Sequence, residues 1–330
     1  MSKYEAKEQL FQNEKAIGLK AGKYEAVILP ELGGNLISFR DVESDYKFLR
    51  EPLEGQMDDF KAQPGIYGIP VLYPPNRYED GEFPWRGQVY HLPVNEAATG
   101  NHLHGFLHTS KWTVEQFGTT LSESYVIVTV KVDEHHEMYQ YLPFKFTVKL
   151  KYTLNEYGLA QHLFVINEGQ NEMPCLFAFH TAINAPFATG SAASDYKVKA
   201  TIGERWKMSD RMLPTGQYQP LSEEEKQMQG EGVYPFFTSL DNHYTAKPLN
   251  GRNVMELTDT KLGVTLVYDV GTSYKQWMIW NNGAKEGFFC PEPQINLVNA
   301  PKSSLSAEEI GLFSLQPGEI WEETARLYVK

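Results

Sequence analysis

A chain of 330 residues with 42% hydrophobic and 22% charged residues has the composition of a folded globular protein, long enough for one large β domain or two smaller ones. Its 30 Lys+Arg against 42 Asp+Glu give a formal net charge of −12 with no basic patch to offset it, which argues against a general role on nucleic acid or at an anionic membrane surface. Cys175 and Cys290 stand 290 − 175 = 115 positions apart, which excludes a disulfide framework and a cysteine-based structural zinc site.

In chain order, residues 1–20 are charged throughout and lack the apolar core of a signal peptide. No later stretch approaches the roughly 18 apolar residues of a membrane helix, so a reduced, soluble, cytoplasmic protein is expected. Residues 5–12 read as a short helix. Beyond them the dominant period is two. Strands read at 24–29 and 36–40, parted by the turn Leu32-Gly33-Gly34-Asn35, and irregular stretches follow at 51–68, 73–81 and 95–107. After a strand at 126–132 comes the most regular segment. From Phe144 to Leu154 every even position is apolar or aromatic and every odd one is Lys or Thr, as in a strand buried on one face. Turns at 155–158 and 167–169 bracket a strand at 160–166, and the irregular stretch 208–234 holds a short acidic helix at 221–228. Strands return at 264–268, 276–280 and 322–329, with a last short helix at 305–310. Alternating strand and helix units are absent, as are internal repeats and compositional linkers. The reading is an all-β fold, a large antiparallel β-sandwich, with residues 1–330 as a single domain. Its long irregular stretches are where function concentrates.

Dinucleotide, P-loop, nucleophile-elbow and zinc-protease motifs are all missing, so catalysis without a cofactor is expected from ordinary side chains. Four constellations stand out. Tyr73-Pro74-Pro75-Asn76-Arg77 is a proline-stiffened turn, either a plain surface loop or a mount for a guanidinium aimed at oxygen ligands. Gly100-Asn101-His102-Leu103-His104-Gly105-Phe106-Leu107-His108 puts three histidines in seven positions, with Trp112 just beyond. His102 and His104 alternate as in a cupin-type metal strand, but that motif adds a Glu after three or four further residues, where this chain has His108 and Thr109. His180 lies in an apolar run, as a satisfied core histidine or a site residue. Glu292 lies between Pro291 and Pro293, which places it at a strand end or interruption, and a buried carboxyl there is suited to general-base chemistry.

The order of these elements resembles the aldose 1-epimerase (galactose mutarotase) family: an Asn-Arg loop, His-Gly with a following Trp, a His in an apolar strand, and a Cys-x-Glu-Pro element near the C-terminus. Leu32-Gly33-Gly34-Asn35, Leu213-Pro214-Thr215-Gly216, Leu240-Asp241 and Leu315-Gln316-Pro317-Gly318-Glu319 support the likeness along the whole chain. The resemblance implies the family's supersandwich and an isomerase acting on a small-molecule sugar, interconverting α and β anomers of free aldohexoses such as glucose or galactose. It also implies that Glu292 is the general base, His180 the general acid and His104 a second active-site histidine, with Arg77 and Asp241 binding the sugar. No cofactor and no metal enter this reading. Where many mutarotases carry an aromatic pair after the catalytic His, this chain has Thr181-Ala182-Ile183-Asn184, which bears on sugar preference.

Three rivals remain at this stage. A hexose-6-phosphate mutarotase of the same fold would need extra basic residues, Arg86 being one candidate. A non-catalytic carbohydrate-binding protein would not need Glu292 and His180. A metal enzyme would use His102, His104 and His108. Trp112, Trp277 and Trp280 are candidates for stacking on sugar, with core packing the expected fate of at least two, and the cysteines are expected to pack in the core. Neither a nucleic-acid nor a membrane partner is expected, and monomer and homodimer are both open.

Overall fold

The computed structural model describes residues 3–330. Two antiparallel sheets face each other across an apolar core. One runs in the order Thr113–Thr119, Ser124–Val132, Phe146–Asn155, Gly158–Asn167, Ile320–Val329, Val264–Asp269, Val254–Asp259, Tyr196–Ala200. The other runs Pro214–Gln219, Ile202–Met208, Asp241–Ala246, Gln276–Trp280, Gly287–Gln294, Ala178–Phe179, Val71–Leu72, with Ile183–Ala185 joined to the start of Gly287–Gln294. The all-β antiparallel sandwich expected from the period of two is the observed fold.

The most regular segment shows why. Phe146, Val148, Leu150, Tyr152 and Leu154 are all fully buried, while the lysines between them are only half-buried. Each such burial stabilises the fold by about 1.5–3 kcal/mol. From the opposite sheet Tyr244, Trp277, Ile279 and Phe289 enter the same core. Tyr268 meets Trp277 at a centroid distance of 6.4 Å across the two layers. Trp277 gives its indole N–H to Asn253 Oδ1 at 2.6 Å and Trp112 donates to the Leu107 carbonyl at 3.1 Å, so both are core residues. Both cysteines are buried free thiols.

A five-stranded sheet at the N-terminal end, Tyr4–Phe11, Glu14–Ala21, Tyr24–Leu29, Asn35–Asp41 and Tyr46–Lys47, corrects one expectation. Residues 5–11 lie in a strand and Gln12 begins the turn after it. Tyr4–Phe11 pairs in full register with Glu14–Ala21 around Gln12 and Asn13, both with positive φ, which is the backbone of a tight hairpin turn. The charged strand is read as helical because its propensities favour helix, whereas cross-strand pairing decides its state. The acidic segment does form a helix, Glu223–Gln229, opened by a reciprocal Ser222–Glu225 capping box. The last short helix spans Ala307–Ile310.

Candidate active site

Glu292 lies beside an interruption, as expected, but the interruption is in the neighbouring strand and on one flank only. The strand Gly287–Gln294 runs through Glu292 without a break, with Met278 opposite it, Ile279 opposite Pro291 and Trp277 opposite Pro293. Pro291 and Pro293 have the same parity, so their missing donors face one flank only, and on that flank the neighbouring strand is interrupted. Ile183–Ala185 stops pairing at Phe289 and Ala178 resumes at Gln294. The prolines are tolerated because no ladder partner awaits their nitrogens. His180 occupies that gap, held by its own N–H to the Pro70 carbonyl at 3.1 Å.

The alternation of the sheet decides what faces the site. Phe289 turns inward to the core. Cys290, Glu292 and Gln294 turn to the other face, together with Gln276, Met278 and Trp280 opposite them, and with Asp241 and His243 one strand further on. On this face His180 Nε2 lies 3.1 Å from Glu292 Oε1, although the angle is poor for a hydrogen bond, and Gln294 Nε2 donates to Glu292 Oε2 at 3.4 Å. Trp280, the one tryptophan of the three candidates left half-buried, sits with its ring 6.3 Å from that of His180.

Two loops complete the cleft. The short strand Asn101–Leu103 pairs with Arg77–Glu79, so the Asn-Arg loop and the histidine-rich loop are tied together. The chain then turns through consecutive positive-φ residues, His104 at 67° and Gly105 at 65°. A Cβ at position 105 would lie 2.0 Å from the Tyr73 carbonyl oxygen, so only glycine allows this approach. The His104 N–H donates to the Asn76 carbonyl at 2.9 Å, and its ring stands perpendicular to that of His180 at 5.2 Å. Arg77 is clamped by Glu96, with Nε to Oε2 at 2.9 Å and Nη2 to Oε1 at 3.0 Å, and its Nη2 comes within 3.7 Å of Asp241 Oδ2. Thus Glu292, His180, His104, Arg77 and Asp241 converge from five separate elements.

Burial sets the protonation of the cleft. It holds the Glu292 carboxyl well above the ordinary range, with the Asp241 charge adding to the effect and Arg77 opposing it. His180 is pushed down to about 3, by burial first and then by His108. His104 is also held well below the ordinary value, by burial and then by His180. Burial raises Asp241 against the pull of Arg77. Burial therefore favours the state in which Glu292 keeps its proton and His180 is neutral, so the pair carries one proton and little net charge.

The alternation expected of His102 and His104 fails, because the strand ends at Leu103 and His104 adopts a left-handed backbone. His102 instead points its Nδ1 at the Pro93 carbonyl, 2.7 Å away, and stacks on Phe106. Among the described residues no group of three or more His, Cys, Asp or Glu is placed to hold a metal ion. Arg86 is not in the cleft. It is 63% exposed in its side chain, pairs with Glu172 at 2.5 Å, and lines a separate cavity of about 970 Å³ with Trp85, Tyr90 and Gln316. Sequence reasoning passed over His243, whose signal was its spacing of two from Asp241 in a strand.

The family model of aldose 1-epimerases matches residues 15–328. The chain belongs to the aldose 1-epimerase family. Membership makes it an isomerase of the mutarotase type. It is similar to the crystal structure of a galactose mutarotase-like protein from Clostridium acetobutylicum, with 34% identity, 99% of each chain covered and a TM-score of 0.95. A galactose 1-epimerase from Lactobacillus acidophilus NCFM (14% identity, 100% of this chain and 99% of that one, TM-score 0.73) shares the fold. So does a galactose mutarotase-like protein from Lactobacillus casei ATCC 334 (17% identity, 96% and 100%, TM-score 0.72). No helix among the described residues is long and apolar enough to cross a membrane.

Proposed function

We propose that the protein interconverts the α and β anomers of free aldohexoses such as glucose or galactose, with Glu292 and His180 moving the protons. The observation that carries this reading is the buried approach of Glu292 Oε1 to His180 Nε2 at 3.1 Å, in a cleft bounded by Arg77 and Asp241. Ring opening requires a proton to leave the C1 hydroxyl while another reaches the ring oxygen. A pair that carries one proton between its two groups suits this task. Hydroxyls donating to the carboxylate favour the state with the proton on His180. Glu292 then takes the C1 hydroxyl proton and His180 delivers its own to the ring oxygen. The open aldehyde rotates about its C1–C2 bond, and the reverse transfers close the ring on the other face. Each positioned acid or base contributes roughly 10²–10⁴-fold.

His104, perpendicular to His180, supports charge at the ring oxygen, while Arg77 and Asp241 bind hydroxyls. Trp280 offers an apolar face to the sugar's C–H groups. Arg77 and Glu292 are 292 − 77 = 215 positions apart in the chain, which supports reading residues 1–330 as one domain. The charge of −12 fits a protein that works in the cytoplasm.

Polarimetry on freshly dissolved α-D-glucose, α-D-galactose and glucose 6-phosphate tests the proposal. Faster mutarotation of a free hexose than in the blank, with no preference for the phosphate, is expected. A preference for the phosphate would overturn the free-sugar reading, and calorimetric sugar binding without mutarotation would overturn the catalytic one.

A further inference from the structure

His243 is a buried histidine on the site face of the sheet that this mechanism leaves without a task. It stands opposite Met278, and Met278 stands opposite Glu292, so all three side chains leave the sheet on the same face. Two strand spacings of about 4.8 Å separate the backbones of His243 and Glu292. His180 lies on the far flank of Glu292, so His243 and His180 are on opposite sides of the carboxyl. Asp241, two residues earlier in the same strand, shares its face, and the Arg77 guanidinium is near enough to disfavour a charge on it.

Its surroundings leave its hydrogen-bonding capacity unused. His243 is 1% exposed, the same as Glu292, and its Nε2 has no hydrogen-bond partner among the described residues. Its neighbours on the core side are satisfied: Tyr244 donates to Glu225 at 2.5 Å and Trp277 to Asn253 at 2.6 Å. An unmade buried hydrogen bond costs roughly 1–3 kcal/mol, and a fold that needed only bulk here would be better served by an apolar ring. Burial, with Arg77 second, pushes the imidazole down to about 3, so it stays neutral and keeps one donor and one acceptor nitrogen. A sugar hydroxyl, itself donor and acceptor, is the matching group.

We propose that His243 is a specificity-determining residue that hydrogen-bonds a substrate hydroxyl remote from the anomeric carbon, working with Asp241 and Arg77 to select among aldoses. The inference rests on the reading of this cleft as the sugar site. It is tested by a cycle between His243→Phe and a set of monodeoxy aldoses, with kcat and KM measured separately. With the parent sugar, His243→Phe should lose about tenfold in kcat/KM, the size of a single hydrogen bond, mainly through KM. One deoxy sugar should show the same loss with the unaltered protein and no further loss with the variant. Should His243→Phe fail to fold by circular dichroism, His243→Asn carries the same cycle. An equal factor lost with every sugar, or no loss at all, would overturn the inference while leaving the mutarotase reading intact. Absence of mutarotation in the unaltered protein would instead overturn that underlying reading.

Discussion

Replacing Glu292 by Gln should make the protein nearly inactive and, above pH 4.5, more stable. The carboxyl is 1% exposed, and burial followed by the Asp241 charge raises it well above its ordinary value of 4.5. A group whose folded pKa is raised favours the fold fully below its unfolded pKa and loses that contribution as pH climbs toward the folded pKa. Every pH unit between 4.5 and the folded pKa therefore costs the natural protein about 1.4 kcal/mol that a neutral amide does not incur. Gln is close to isosteric, and its oxygen can still accept from Gln294. The base it replaces is worth roughly 10²–10⁴-fold in rate. Urea unfolding of both proteins at about pH 4.5 and again near pH 8 gives the stability difference, and polarimetry gives the rate. The difference should widen toward pH 8 in favour of the variant while mutarotation falls at least a hundredfold. A variant less stable than the natural protein at the higher pH, or one within tenfold of its rate, would refute the reasoning.

Other outcomes follow from the same geometry. His180→Asn should lower kcat by several orders of magnitude with an unchanged circular dichroism spectrum, since only the proton donor is removed; near-normal activity would refute its role. The blank-corrected pH profile of kcat/KM should have its acid limb well below the ordinary histidine value of 6.5, because His180 gains a proton only toward about pH 3; a midpoint near 6.5 would contradict the assignment. Glu96→Gln, which weakens the clamp on Arg77, should raise KM about tenfold with kcat little changed in steady-state assays. Gly105→Ala forces a Cβ to within 2.0 Å of the Tyr73 carbonyl and should lower both the melting temperature and the activity through displaced His104.

The fold class was legible in the many strand segments, the short turns between them and the scarcity of helix, with 144–154 the clearest because one face of that strand is buried from end to end. The N-terminal hairpin was not legible, since its first strand is largely polar on both faces and Gln12-Asn13 is a weak turn signal beside Asn-Gly. The prolines around Glu292 marked an interruption but not which strand carries it. Whether a proline interrupts a strand depends on the flank that has a neighbour, and the gap at residues 179–182 belongs to a different part of the chain. The five candidate residues were legible only through their order in the chain. Their convergence depends on pairing between elements such as Asn101–Leu103 and Arg77–Glu79. The spacing of two between Asp241 and His243 is a weak local signal, and only the register with Met278 and Glu292 gives His243 meaning.

The central claim, that a buried carboxyl and imidazole exchange protons with a hemiacetal, is tested most directly by magnetisation exchange between the anomeric protons of an equilibrated aldose in NMR. A catalytic amount of the natural protein should transfer saturation between the α and β signals, and the Glu292→Gln/His180→Asn double variant should leave the two signals as independent as in the blank. Equal exchange with both proteins would contradict the account.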